Sequence, residues 1–191
     1  FIRQRFPAVR LVENQGNAGF AAACNQGAAL ARGDVLVFLN QDTAVQPGWL
    51  DGLLAALAEG DDVGLSTSRL LLMAAPERIQ MCGQDVHYSG LVFGRGYGQL
   101  AASQPHPGDV DAVSGASFAI GRELWARLGG FEERLFMYYE ETDLSWRARG
   151  AGYRCRYAPA STALHDYRPS APSAGRLYCS FRNRALLLLR N

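Results

Sequence analysis

The chain has 191 residues, 48% apolar and 19% charged, enough for one medium-sized domain with a substantial core. With 19 basic and 18 acidic residues the formal net charge is +1, which excludes the clustered positive charge of a broad nucleic-acid footprint. Every basic residue is arginine, and the absence of lysine excludes a Walker-type phosphate loop, Schiff-base chemistry and a lysine general base.

Taken in chain order, apolar clusters and helical stretches alternate. Val9–Val12 reads as a short strand after Pro7. Phe20–Arg32 is alanine-rich and helical, with Gly33 placed to end it. Val35–Leu39 is a continuous apolar run, the pattern of a buried parallel strand. Trp49–Ala58 carries apolar positions at helical spacing behind Pro47, and Val63–Thr67 is a further strand. Leu70 to Asp109 is glycine-rich and less regular. Within it, His87–Phe93 is a strand candidate and Gly94–Gly108, with Pro105 and Pro107, a long loop. Ala112–Ile120 reads as a strand, Glu123–Leu128 as a short helix, Glu140–Arg149 as a helix and Tyr153–Tyr157 as a strand. Arg176–Arg190 is an amphipathic helix. Such alternation predicts an α/β sheet with helices on its faces.

The four cysteines, Cys24, Cys82, Cys155 and Cys179, include no pair within five positions. That spacing argues against a zinc or redox pair and favours a reducing, cytoplasmic setting. The longest apolar run, Leu70–Ala75, is far too short to span a membrane. The chain opens on Phe1 with no signal-peptide pattern, and the expectation is a single catalytic domain over residues 1–191, truncated at its N-terminus.

Four places carry candidate chemistry. Val35–Leu39 stops abruptly in Asn40-Gln41-Asp42, where an α/β sheet presents ligand-facing groups beyond its strand ends. A carboxylate there suits a divalent cation shared with a phosphate; a plain strand-end turn is the alternative. Asn14-Gln15-Gly16-Asn17-Ala18-Gly19-Phe20 joins a strand to a helix, as in an anion site or simply a capped glycine turn. Glu140-Glu141-Thr142-Asp143 crowds three carboxylates, so burial would raise the pKa of one and poise a base. Acidic residues also belong at a helix N-terminus, and Asp143 with Arg147 makes a stabilising i, i+4 pair. His165 follows a strand and is a candidate ligand for a metal or contact to a phosphate.

In order and spacing, the set resembles the family-two glycosyltransferases of GT-A fold, in particular their rhamnosyltransferase-like branch. The segments that carry the resemblance are Asn14–Asn25 (NQGNAGFAAACN), Gly33–Leu50 (GDVLVFLNQDTAVQPGWL), Val113–Arg122 (VSGASFAIGR), Gly129–Gly152 (GGFEERLFMYYEETDLSWRARGAG) and Tyr157–His165 (YAPASTALH). Arg182-Asn183 resembles an arginine-asparagine pair found near the end of such domains.

The resemblance implies a mixed, mostly parallel, Rossmann-like sheet flanked by helices and lacking its N-terminal strands. It implies transfer of a sugar, rhamnose for this branch, from a nucleotide-sugar donor to a saccharide or glycolipid acceptor, with inversion, in polysaccharide or cell-envelope synthesis. Asp42 and His165 would hold Mg2+ or Mn2+. Asn14, Gly19, Asn25 and Asn40 would lie against the nucleotide, and Gly115 and Ala116 beside the donor sugar. Glu140-Glu141 matches the family's Glu-Asp pair, with Glu141 or its neighbour Glu140 as the base. Tyr138, Tyr139 and Trp146 are candidates to stack on sugar rings. No nucleic-acid partner is implied; the arginine-flanked C-terminal helix is consistent with peripheral association with the inner face of the membrane, a core-facing terminal helix being the plainer reading. The alternative readings are a non-catalytic nucleotide- or carbohydrate-binding remnant and, last, a nucleotidyltransferase, which the missing lysine disfavours.

Overall fold

The structure, a computed structural model, describes residues 1–104, 106–168 and 173–191. Pro105, expected in a loop, lies outside them. A short helix α1 (Ile2–Arg5) is followed by α2 (Gly19–Leu30), β1 (Val35–Leu39), β2 (Thr43–Val45), α3 (Trp49–Leu57), β3 (Val63–Leu72), β4 (Ala75–Met81), β5 (Gln84–Val86) and β6 (Val92–Gly94). Then come β7 (Gly108–Val110), β8 (Ser117–Gly121), α4 (Arg122–Leu128), α5 (Glu140–Gly150), β9 (Arg154–His165) and α6 (Ala174–Arg190).

The central sheet runs β1-β8-β3-β9-β2, with β4 added to β3 and β7 to β9. β5 and β6 form a separate hairpin. The α/β class and the mixed sheet stand, but the parallel share is smaller than expected. β1, β3 and β9 run the same way, yet β8 enters in reverse between β1 and β3, so β3–β9 is the one directly parallel pair among the described residues. An antiparallel strand in that position needs no crossover helix, which lets α4 follow β8 directly.

Side-chain alternation sorts the two faces. Leu36, Phe38, Leu65, Phe118 and Ile120 pack under α2, α4 and α5. There Phe38 and Phe118 stack with centroids 4.5 Å apart, and Trp125 and Phe131 close the cluster. On the opposite face, Ser66 Oγ donates to Leu53 O of α3, and Trp49 Nε1 donates to Ser68 and Ser117 Oγ. α3 sits directly on β9 because Gly52 has no side chain: a Cβ there would lie 2.5 Å from Ser161 N.

Several elements differ from the sequence expectation. Val9–Val12 is not a strand; it is exposed and has no neighbour to pair with among the described residues, and so short a strand does not persist alone. β1 is not a doubly flanked parallel strand: it pairs only with β8, antiparallel, and Leu39 is exposed. The strand expected over Ala112–Ile120 begins only at Ser117. His87–Phe93 is the turn and return strand of the β5–β6 hairpin, closed by His87 N donating to Leu91 O at 2.9 Å. α2 ends at Leu30 in an extended cap at Ala31, two residues before Gly33. The largest gain is β9, which continues from Tyr157 to His165 because β3 and β2 pair with its second half. No helix among the described residues is long and apolar enough to cross a membrane.

Candidate active site

The first half of the site is assembled at the end of β1. Asn40 N donates to Ala116 O at 3.0 Å and Thr43 Oγ1 to Asn40 O at 2.6 Å, so the Asn40-Gln41-Asp42 turn is held from both sides. β2 then pairs with the end of β9, placing Thr43 opposite His165, and Asp166 N donates to Asp42 O at 2.9 Å. This register brings His165 Nε2 to 3.3 Å from Asp42 Oδ1. On the other side of the ring, His165 Nδ1 lies 3.2 Å from Gln80 Oε1. With that amide oxygen as acceptor, Nδ1 carries the proton and Nε2 keeps its lone pair beside Asp42. Asp42 Oδ1 is buried without a hydrogen-bond partner.

Those features fit a divalent cation: an orphaned carboxylate oxygen beside an imidazole nitrogen whose tautomer is set from behind. Among the described residues no cluster of three or more His, Cys, Asp or Glu side chains is arranged to hold a metal. Asp42 and His165 therefore offer two protein ligands, and a hard cation would complete its shell with phosphate or water oxygens.

The second half is the start of α5. It is entered through a loop in which Phe136, Tyr138 and Tyr139 all have positive φ, at 63°, 73° and 76°. Each such non-glycine residue costs about 1–3 kcal/mol unless its surroundings enforce it. Here the enforcement comes from α6. Asn183, fully buried, directs Nδ2 to the carbonyls of Leu135, Met137 and Tyr138 at 2.7–2.8 Å. Arg182 donates to Arg134 O and Leu135 O. Phe136 O in turn accepts from Phe20 N at 2.7 Å and so caps α2.

Out of this loop come Glu140 and Glu141. Glu140 is buried, at 4% exposure, and its Oε2 has no partner. Burial, reinforced by the adjacent Glu141 charge, pushes its pKa up to about 8. Glu141 is also raised by burial, but hydrogen bonds from its own backbone amide, the Gln84 side chain and the amides of Gly115 and Thr142 oppose this. Gln84 Nε2 donates to Glu141 Oε1 at 2.8 Å. The third carboxylate, Asp143, does not join them: it pairs with Arg147 at 2.8 Å, as the i, i+4 spacing predicts.

Both halves open into one cleft of about 690 Å³. Of the residues singled out from sequence, Asn40, Asp42, Gly115, Ala116, Glu140, Glu141 and His165 line it, as does Tyr138. Asn14, Gly19 and Asn25 do not. Asn14 donates to Gln26 Oε1, and Asn25 bonds Phe131 N and O and Glu133. Gly19 (φ 83°) packs on Phe136, whose ring would lie 2.5 Å from an added Cβ. Tyr139 and Trp146 are likewise absent from the lining. Gly115 borders Glu141 directly, since a Cβ there would lie 3.5 Å from its carboxyl carbon. Gln80 and Gln84 escaped the sequence reading; two buried glutamines in a glycine-rich stretch carry no local signal.

Comparison with known proteins bears on the fold and on the family the chain resembles. Residues 1–73 match the family model described as Glycosyl transferase family 2. The chain is 29% identical over 160 residues to the pre-mycofactocin glycosyltransferase of Mycobacterium tuberculosis, covering 84% of this chain and 33% of that protein. It is 28% identical over 195 residues to the N-acetylglucosaminyl-diphospho-decaprenol L-rhamnosyltransferase of the same organism, covering 91% and 62%. The chain thus spans between a third and two-thirds of the length of these relatives. Its fold matches the crystal structure of GalNAc-T7 with UDP, GalNAc and Mn2+ (TM-score 0.73, 22% identity, 95% of this chain and 37% of that one). It also matches the mannosyltransferase PcManGT from Pyrobaculum calidifontis in complex with GDP-Man and Mn2+ (TM-score 0.58, 21% identity, 95% and 45%). The GT-A fold expected from the sequence is therefore the fold of this chain.

Proposed function

We propose that this domain transfers a sugar from a nucleotide-sugar donor to an acceptor hydroxyl with inversion, using a divalent cation, Mg2+ or Mn2+. The observation that carries the reading is the convergence of two pairs, Asp42–His165 and Glu140–Glu141, on one cleft beyond the strand ends. Asp42 and His165 would hold the cation, which, when bound, supplies neutralisation of the charge growing on the departing diphosphate. Asn40, Gly115 and Ala116 form the donor side of the cleft.

Of the two glutamates, Glu141 is the base. The pair lies deep in the domain and one proton is best placed on Glu140, whose Oε2 is buried without a hydrogen-bond partner. Glu141, with an N–H from Gln84, stays ionised. It takes the proton of the acceptor hydroxyl as the oxygen attacks the anomeric carbon from the face opposite the leaving group. Tyr138, on the cleft wall, is placed to stack on a sugar ring.

Rhamnose as the sugar, and a saccharide or glycolipid acceptor, draw support from the relative named as a decaprenol-linked rhamnosyltransferase. α6 supports work on the cytoplasmic face of an anionic membrane: it exposes Leu177, Tyr178, Phe181, Leu188 and Leu189, and its only charged residues are arginines.

The test is calorimetric titration with Mn2+ and nucleoside diphosphates. The native chain is expected to bind them together, and Asp42→Ala to lose the Mn2+-dependent part. Unchanged binding in that variant would refute the metal role, and binding without any turnover of donor would favour a non-catalytic remnant.

A further inference from the structure

Two buried glutamines flank the Met81–Gly83 turn, Gln80 at the end of β4 and Gln84 at the start of β5, both at 5% exposure. Each reaches one of the side chains that converge on the cleft: Gln80 meets His165, and Gln84 meets Glu141. The backbone of Gln84 is fixed independently, since its N–H donates to Ala112 O at 2.8 Å and its C=O accepts from Asp111 and Ala112 N–H. Its side-chain amide is fixed at both ends. Thr142 Oγ1 donates to Gln84 Oε1 at 2.8 Å, and Gln84 Nε2 donates to Glu141 Oε1 at 2.8 Å.

The direction of the amide follows from donor and acceptor chemistry. An ionised carboxylate only accepts, so the NH2 group faces Glu141, and the amide oxygen on the other side accepts from the Thr142 hydroxyl. An N–H on Oε1 stabilises the carboxylate and obstructs protonation there. It holds Oε1 on the Gln84 side of a carboxylate that lines the cleft.

We infer that Gln84 is a positioning residue for the base: together with Thr142 it fixes the orientation of the Glu141 carboxylate and keeps it ionised, with one oxygen committed to the clamp and the other turned to the acceptor. The inference rests on the reading of Glu141 as base. It gives a function to a segment, residues 80–86, that carries none of the residues of the metal site or the base. Among the described residues, the titratable neighbours that face Glu141 are Glu140 and Tyr139.

The decisive measurement is the titration of the Glu141 carboxyl by 13C NMR, assigned with Glu141→Gln, in the native chain and in Gln84→Met, which keeps length and removes both hydrogen bonds. Loss of a hydrogen bond to a charged group is expected to raise the Glu141 midpoint by about 1 pH unit or more. An unchanged midpoint overturns the inference. Should Gln84→Met fail to fold, Thr142→Val frees the amide to turn and is expected to shift the midpoint the same way; no shift in that variant overturns the inference equally.

Turnover separates this inference from the reading beneath it. Nucleoside diphosphate release from UDP-glucose, GDP-mannose and dTDP-rhamnose with Mn2+ is the assay. Gln84→Met is expected to lower kcat about a hundredfold, the scale set by a 1 Å misplacement, with KM for the donor held and the acid limb of the profile moved upward. A Glu141→Gln variant that retains turnover refutes the base, and the catalytic meaning of the clamp with it. A dead Glu141→Gln beside a Gln84→Met enzyme with native kcat and pH profile refutes the clamp alone.

Discussion

His165 Nε2 stands 3.3 Å from Asp42 Oδ1, and the contact is made by strand register: Thr43 is the partner of His165 across the β2–β9 ladder. A slip by one residue would send the imidazole to the other face of the sheet and dissolve the pair. Three expected outcomes follow from the way this cleft is built.

Gln80→Leu is expected to weaken Mn2+ binding by about 10–100-fold without unfolding the domain. The substitution removes the acceptor that holds the proton on His165 Nδ1, and such outer partners of metal-binding histidines carry effects of that size. Calorimetric titration with Mn2+ measures it; affinity equal to that of the native chain would show that His165 orients itself.

Stability is expected to fall as pH rises through the range that separates the two states of Glu140. Its pKa stands at 4.5 in the unfolded reference and about 8 in the fold, so between these values the folded state holds a proton that the unfolded state has lost. Stability is then full below pH 4.5 and declines toward pH 8, by at most about 1.4 kcal/mol per pH unit. Glu140→Gln removes the titrating group and should flatten this slope. Urea midpoints measured from pH 4.5 to pH 8 in both proteins decide it, and parallel curves would place the proton elsewhere.

Asn183→Leu is expected to destabilise the domain by about 3 kcal/mol. It leaves the carbonyls of Leu135, Met137 and Tyr138 without their shared donor and releases a backbone held at three positive-φ residues. Because the same loop presents Glu140 and Glu141, turnover should fall further than the folded fraction does. Denaturation and activity measured on one preparation test this, and losses in strict proportion would make Asn183 purely structural.

Much of this was legible in the sequence wherever the signal was local. The apolar run Val35–Leu39 breaking into polar residues made Asp42 a candidate beside a plain strand-end turn, and Glu140-Glu141 opening a helix made the carboxylate pair a candidate beside simple helix-end acids. Helices α3, α4, α5 and α6 were readable to within two residues at each end from spacing and their glycine stops. Local signals misled where a segment needed a partner. Val9–Val12 has the composition of a strand and, among the described residues, no neighbour to pair with.

By itself, then, the chain determined its helices, the polar end of its first strand and the kinds of chemical group available to the site, since these depend on neighbours a few positions away. Which groups meet was decided only by the tertiary structure. The register of β2 on β9 joined Asp42 to His165, the β4–β5 corner set a glutamine behind His165 and another behind Glu141, and α6 locked the loop that delivers the glutamates. Such contacts link residues far apart along the chain, and their geometry is fixed by sheet pairing and by the need of each buried polar group for a partner, neither of which leaves a periodic trace in the sequence.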